Sequence, residues 1–555
     1  MLKSAMRAAV WVGAAALGSL TAAAQHSGHQ ALPPAATELH PGLGEYHFPI
    51  TTASADAQAY FDQGIRLLYG FNHDEAARYF RRAAELDPRA PMPYWGVALS
   101  IGPNYNDTAV DAARAQATYD AVKNAEQRAA NASERERDYV AALARRYPSP
   151  EPASDWLGFH RDYSEAMRAM MAKYPDDLDA ATMFAESLMM LRPWQLWSLD
   201  GEPAEGTLEL VAVLESVLRR NPDHPGANHF YIHAVEASRN LERAIPSATR
   251  LMTLVPGAGH LVHMPGHIFL QTGDFGLAAE TNVKASEADR AFVERTGATG
   301  VYPLMYWTHN IHFIAYARAQ QGRYEEAKQA ALDMIANVGD ADREMQMQML
   351  EGFRLYPMMI DLRFHRWDTL LATPEPERDR AFSHAFWRYA RAMALAAQGD
   401  VRAAAAEQRR FERERAAVQP ELQYLINNKA GDVLALAAAT LDAQLAAARG
   451  DSAAAIDAWR RAVTLESMLQ YDEPPAWFYT VRQSLGAELL EAGNHDEAER
   501  VFREALATRP RDGRLLYGLW QTLAAQGRDS EAVLVQGEFS RAWQDATVPL
   551  TLDDL

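Results

Sequence analysis

Seven of the chain's 17 histidines lie between residues 229 and 312, in three groups. His229 and His233 are followed by Glu236, at i, i+4 and i+7. His260, His263 and His267 stand at i, i+3 and i+7, as do His309, His312 and Tyr316. Residues three and four apart share one face of a helix, so each group projects from a single helical face. Imidazole is the commonest protein metal ligand. Three such faces turned toward one another are expected to bind a transition metal, with all seven histidines as ligands. Glu236 is expected as a carboxylate ligand or proton carrier, and Tyr316 as a further catalytic group. The same rings buried without a metal would each need a hydrogen-bond partner, and protonated rings would repel one another.

The ligand type narrows the metal. The chain has no cysteine, which removes thiolate ligation, disulfides and cysteine catalysis. All-nitrogen ligation with an occasional carboxylate suits copper first, then zinc, then iron. Six or seven imidazoles exceed the need of one tetrahedral ion, so a dinuclear site is expected. Copper would imply oxidoreductase chemistry and zinc hydrolysis.

Positioning these groups requires helices in register. Gly64, Ala76, Phe80, Ala83 and Pro88 recur with the same spacing as Gly486, Ala498, Phe502, Ala505 and Pro510. This resembles the tetratricopeptide repeat, a helix-turn-helix unit of about 34 residues. Looser copies carry Ile232/Ala244/Ala248/Pro256, Gly266/Gly273/Phe275/Ala278 and Ala315/Gly322/Tyr324/Ala327. The fold class expected is all-α, a tetratricopeptide-type helical-hairpin superhelix, or α-solenoid, with a concave groove. We divide the chain into a signal peptide over 1–24 and a linker over 25–54. N-terminal repeats follow over 55–220, His-rich repeats over 221–335 and C-terminal repeats over 336–545.

The resemblance implies where the histidines point. In that repeat the first helix of each unit lines the groove through positions 2, 5, 9 and 12, and all seven histidines fall in those slots. Glu186, in MFAESLMML, takes position 9 of the preceding unit and is expected as a ligand or general base at the groove edge. The segment 289–307 is longer than the usual turn. Its Tyr302, Tyr306 and Trp307, with Trp194 and Trp197 opposite, either roof the groove or simply pack. The run Tyr471 to Trp477 breaks the helical rhythm at Pro474 and Pro475. It reads as a rigid turn, and Tyr471 and Glu473 reach the groove only if the superhelix curls far enough. The other histidines are given no role.

Residues 228–275, with GFNHDEAARYF, GPNYN and YDEPPAWFY, are similar to blocks of a family of secreted bacterial His-rich tetratricopeptide proteins. That resemblance implies the architecture and a His-rich site, and no settled activity. Lys3 and Arg7 precede an apolar run from Ala8 to Leu20 and an Ala22-Ala23-Ala24 cleavage pattern, which predicts export to a periplasm or beyond the cell. The net charge of −19 argues against a nucleic-acid partner, and no later run is apolar enough for a membrane span. Three functions stay open: a metalloenzyme acting on a small molecule or peptide in the groove, a periplasmic metal carrier or store, and a scaffold for protein partners.

Overall fold

The structure is a computed structural model that describes residues 33–341 and 348–555. The expected signal peptide, His26 and His29 lie outside the described residues. The described chain is all-α apart from a two-residue ribbon pairing Gln423–Tyr424 with Asn428–Lys429. Successive helices pack as antiparallel hairpins, as the spacing of small and aromatic residues requires.

Phe80 shows why the spacing matters. Its ring lies between Gly64 of one hairpin and Gly96 of the next, and a Cβ at either glycine would sit 2.6 or 2.5 Å from it. Phe502 is clasped the same way by Gly486 and Gly518, at 2.5 and 2.2 Å. Any side chain at these glycines would drive the first helices of neighbouring hairpins apart, so the aromatic and its two glycines act together.

Residues 33–54 are extended, as a linker would be, but they are bound along their length. Phe48 and Leu43 are buried. His40 N donates to Gln63 Oε1 at 2.7 Å, and Gly257 N donates to the Gly42 carbonyl at 2.8 Å. This strap ties the first hairpin to the His-rich repeats. Helix Ala430–Ala448 is the one described helix long and apolar enough to cross a membrane, and most of it is buried within the fold.

The superhelix curls until the groove closes. Gly273 turns between two helices at φ +77°, and a Cβ there would lie 1.9 Å from the Pro510 carbonyl oxygen. Beside it Asp274 forms a bidentate pair with Arg511 at 2.5 and 3.0 Å. Thr547 N donates to the Gly322 carbonyl at 3.1 Å. On the other side helix Ala55–Tyr69 packs on helix Pro225–Val235, where Gly226 admits the Tyr69 ring. The His-bearing helices are therefore covered from both ends of the chain.

Candidate metal centre

Three consecutive first helices carry the histidines: Pro225–Val235, the pair Gly259–His263 and Pro265–Gln271, and Thr308–Gln320. Pro225 starts the first helix, and His224 caps it by accepting from Ala227 N through Nδ1 at 3.2 Å. His224, given no role from the sequence, thus sets the start of the His229 helix. The second helix, expected as one piece, breaks at Pro265. The third is entered through a π-helical turn, Tyr302–Trp307.

The structure brings six of the seven histidines into two groups. Ligand atoms of His229, His233 and His260 lie within 4.8 Å of one another, and those of His263, His267 and His309 do likewise. Five of these six are buried, and His309 is half-buried.

Hydrogen bonds at Nδ1 fix what four of the six rings offer at Nε2. His229 Nδ1 faces the Tyr69 carbonyl at 2.6 Å, and an oxygen that only accepts requires the hydrogen on Nδ1. His263 Nδ1 lies 2.7 Å from Asn282 Oδ1, whose amide nitrogen is committed to the Ala278 carbonyl. Glu236 takes two rings at once: Oε1 is 2.9 Å from His233 Nδ1 and Oε2 is 2.6 Å from His267 Nδ1. Glu473 also contacts His267 Nδ1. With Nδ1 donating, Nε2 of His229, His233, His263 and His267 presents a lone pair, whereas the His260 Nδ1 atom has no partner and leaves that ring free to take either tautomer. His229 Nε2 is 3.1 Å from His260 Nε2, His263 Nε2 is 2.7 Å from His267 Nε2, and His233 Nε2 has no hydrogen-bond partner. Tetrahedral ligands at ~2.0–2.1 Å from an ion stand about 3.3 Å apart, close to the His229–His260 separation, whereas the His263–His267 contact is at hydrogen-bond distance.

The electrostatics favour neutral imidazoles at four of the six rings and a protonated one at His267, with negative charge beside it. Burial holds His229, His260, His263 and His309 well below the ordinary imidazole range. Burial also opposes charge on His267, but the facing Glu473 and Glu236 carboxylates overcome it and push the ring up to about 10. Desolvation lifts Glu473 to about 7, while His233 and His267 outweigh burial and hold Glu236 below its usual range. One proton on His267 would satisfy the His263–His267 contact. It would leave the His233 lone pair without a hydrogen, while neutral His260, whose Nδ1 is unbonded, can donate from Nε2 to His229.

A cavity of about 110 Å³ opens on this floor of imidazoles, lined by His233, His260, His267, His309 and His312. Its roof includes Met305, Tyr306, Phe353, Ile426 and Trp194, and Glu473 and Asp472 close one end. Tyr306 sets its edge on His260 at 5.1 Å and accepts from Asn106 Nδ2 at 3.0 Å. Trp194 meets His233 edge-on and stacks on Tyr105. Tyr302, Trp307 and Trp197 instead bond Asp289, Ser286 and the Ala234 carbonyl. Phe71 stacks on His233 and His260. Phe71, Trp194 and Leu425 all hold left-handed backbone, at φ 53°, 60° and 51°, and all three meet the site. Such conformations gather where surrounding structure over-determines them.

Three expected site residues sit elsewhere. His312 joins neither group: its ring lies against Tyr356 and Phe353 at 4.3 and 5.6 Å and faces the cavity from the side. Tyr316 lies beyond Glu473 in a second cavity of about 250 Å³, where its hydroxyl accepts from Arg509 at 3.1 Å. Glu186 pairs with buried Arg146 at 3.6 Å. Arg146 in turn donates to the Pro103 carbonyl, and Arg114 to Ile101 and Gly102. Together they clamp from behind the loop that brings Asn104, Asn106 and Asp107 to the cavity. Glu186 thus bears on the site through Arg146 rather than by touching it. Sequence reasoning missed Asn282, Phe71, Asn104 and Phe353, although two of the family-like blocks, GFNHDEAARYF and GPNYN, hold Phe71 and Asn104.

Burial also gives an acid sensitivity away from the six grouped rings. His312 is held at about 3 and His160 at about 2 by desolvation, so both are neutral in the fold. Unfolded, each titrates near ~6.5. Below that pH the unfolded chain binds more protons, so this stability is full above pH ~6.5 and lost as pH falls, approaching about 1.4 kcal/mol per pH unit for each ring. Urea unfolding of metal-free protein is expected to give a slope reduced by about that amount in His160→Phe relative to wild type. An unchanged slope would show that His160 already carries its proton in the fold.

Comparison with known proteins adds the repeat. Residues 489–535 match the family model described as the tetratricopeptide repeat. This segment is a tetratricopeptide repeat. No curated protein matches the chain. Among solved structures, the APC/C hetero-tetramer Cut9-Hcn1 is 13% identical, with 88% of this chain and 74% of that chain covered and a TM-score of 0.29. Yeast Tom70 is 13% identical over 90% and 93% at 0.27, and the human IFIT1 dimer with m7Gppp-AAAA 10% identical over 90% and 92% at 0.30. Overlaps this loose carry no argument about what this chain binds.

Proposed function

We propose that this chain is an exported metalloenzyme whose buried histidines hold two transition-metal ions, copper in preference to zinc or iron. The observation that carries the reading is the convergence of Nε2 lone pairs from rings whose Nδ1 atoms are already committed. His229, His233 and His260 hold one ion; His263, His267 and His309 hold the other. Glu236 is the outer group that orients one ring of each set and keeps both in the same tautomer. Copper would supply one-electron and oxygen chemistry at the cavity floor.

The chain's own residues do the rest. Asn282, Tyr69 and Glu236 fix ring orientation, the apolar roof excludes water, and Glu473 stands at the cavity's end with an elevated pKa, suited to holding or passing a proton. The cavity beside the centre favours an enzyme over a store, which needs none. Burial of the rings disfavours a peptide-binding groove on this face. Metal-free protein titrated separately with Cu(II), Zn(II) and Fe(II) is expected to bind copper tightest, in competition with a chelator. Saturation at 1,000 times Kd is expected to add about 4 kcal/mol of stability. Failure to take up any of the three would end the metalloenzyme reading.

A further inference from the structure

The cavity's lining describes its ligand. Among the described residues no lysine or arginine lines it, whereas Asp107, Asp472 and Glu473 do. Without metal the cavity offers an anion no lysine or arginine, and with two ions on the imidazole floor it repels a cation, so a neutral ligand suits both states.

Two buried polar atoms in the cavity wall can accept a hydrogen, Asp472 Oδ1 and, with its hydrogen on Nδ1, His312 Nε2. His312 is 1% exposed, lies outside both histidine groups, and its Nε2 has no hydrogen-bond partner. Asp472 is buried, and its Oδ1 is likewise open while Oδ2 accepts from Asn428 at 2.8 Å. Buried acceptors without a hydrogen cost free energy that a ligand's donor relieves. The remainder of the wall is apolar and largely aromatic, with Trp194, Tyr306 and Phe353 around the space. At about 110 Å³ the cavity is smaller than a ~150 Å³ cavity that admits benzene, which limits a ligand to a single ring.

We propose that the cavity binds a small neutral aromatic molecule bearing a hydroxyl, of the phenol class, whose hydroxyl donates to His312 Nε2. His312 is then a substrate-binding residue and not a metal ligand. The ring lies under Tyr306 and Phe353, and the hydroxyl oxygen faces the imidazole floor. This rests on the reading of the centre as an enzyme's, and names its substrate class.

Phenol and toluene are near in size and differ in the donor, so their affinity ratio reports the hydrogen bond. Each is titrated by calorimetry into full-length protein, metal-free and metal-loaded. Wild type is expected to bind phenol one to one. In His312→Phe the preference for phenol over toluene is expected to fall about tenfold, with metal content unchanged. In His312→Gln, which keeps an acceptor, it is expected to stay within about threefold of wild type. A ratio unchanged in His312→Phe, no ring binding in either state, or loss of metal in His312→Phe would each overturn the assignment. A protein that binds phenol but takes up no metal would end only the metalloenzyme reading.

Discussion

Glu236→Gln is expected to weaken binding of both ions together, by roughly 10–100-fold for the more affected one. A carboxylate accepts from two Nδ1–H groups at once, and Glu236 does so for His233 and His267 at 2.9 and 2.6 Å. A glutamine offers one oxygen and one amide nitrogen. One of the two rings then faces a donor, must move its hydrogen to Nε2, and ceases to be a ligand. The other keeps its orientation but loses the negative charge behind it. Chelator competition on the variant reads both losses. An effect confined to one ion would show that Glu236 serves a single set.

The second large effect is separability. His229→Ala is expected to remove one ion and leave the other, and His263→Ala to do the reverse, because the two sets share no imidazole. Metal per chain should fall from two to one in each variant and to none in the double variant. Tyr69 and Asn282, the groups that orient the deleted rings, belong to one set each, so neither deletion disturbs the other set's supports. Loss of all metal in either single variant would mean one shared site in place of two.

Much of this was legible in the sequence, and what was not has physical reasons. Gly64/Phe80 and Gly486/Phe502 announced the hairpins because only glycine lets the ring between helices. The histidine spacing announced shared faces because helical geometry is local. What spacing cannot report is how far along a helix axis the neighbouring elements reach. Tyr316 shares a face with His309, but seven residues are about 10.5 Å of rise, enough to carry it past Glu473 into the second cavity. His312 is rotated by about 60° from His309, which turns it onto Tyr356. Glu473 reaches His267 only because the chain curls until Gly273 meets Pro510, a contact between residues more than two hundred positions apart. The prolines beside Glu473 read first as a turn, and they are one, but a turn placed at the end of the site's cavity.

Among measurements on the whole protein, metal content with X-ray absorption on reconstituted wild type bears most directly on the central claim. Two ions per chain with nitrogen-only coordination at ~2.0–2.1 Å are the predicted result. A chain that stays metal-free after exposure to copper, zinc and iron would contradict it, and would leave the facing imidazoles as a proton-sharing core.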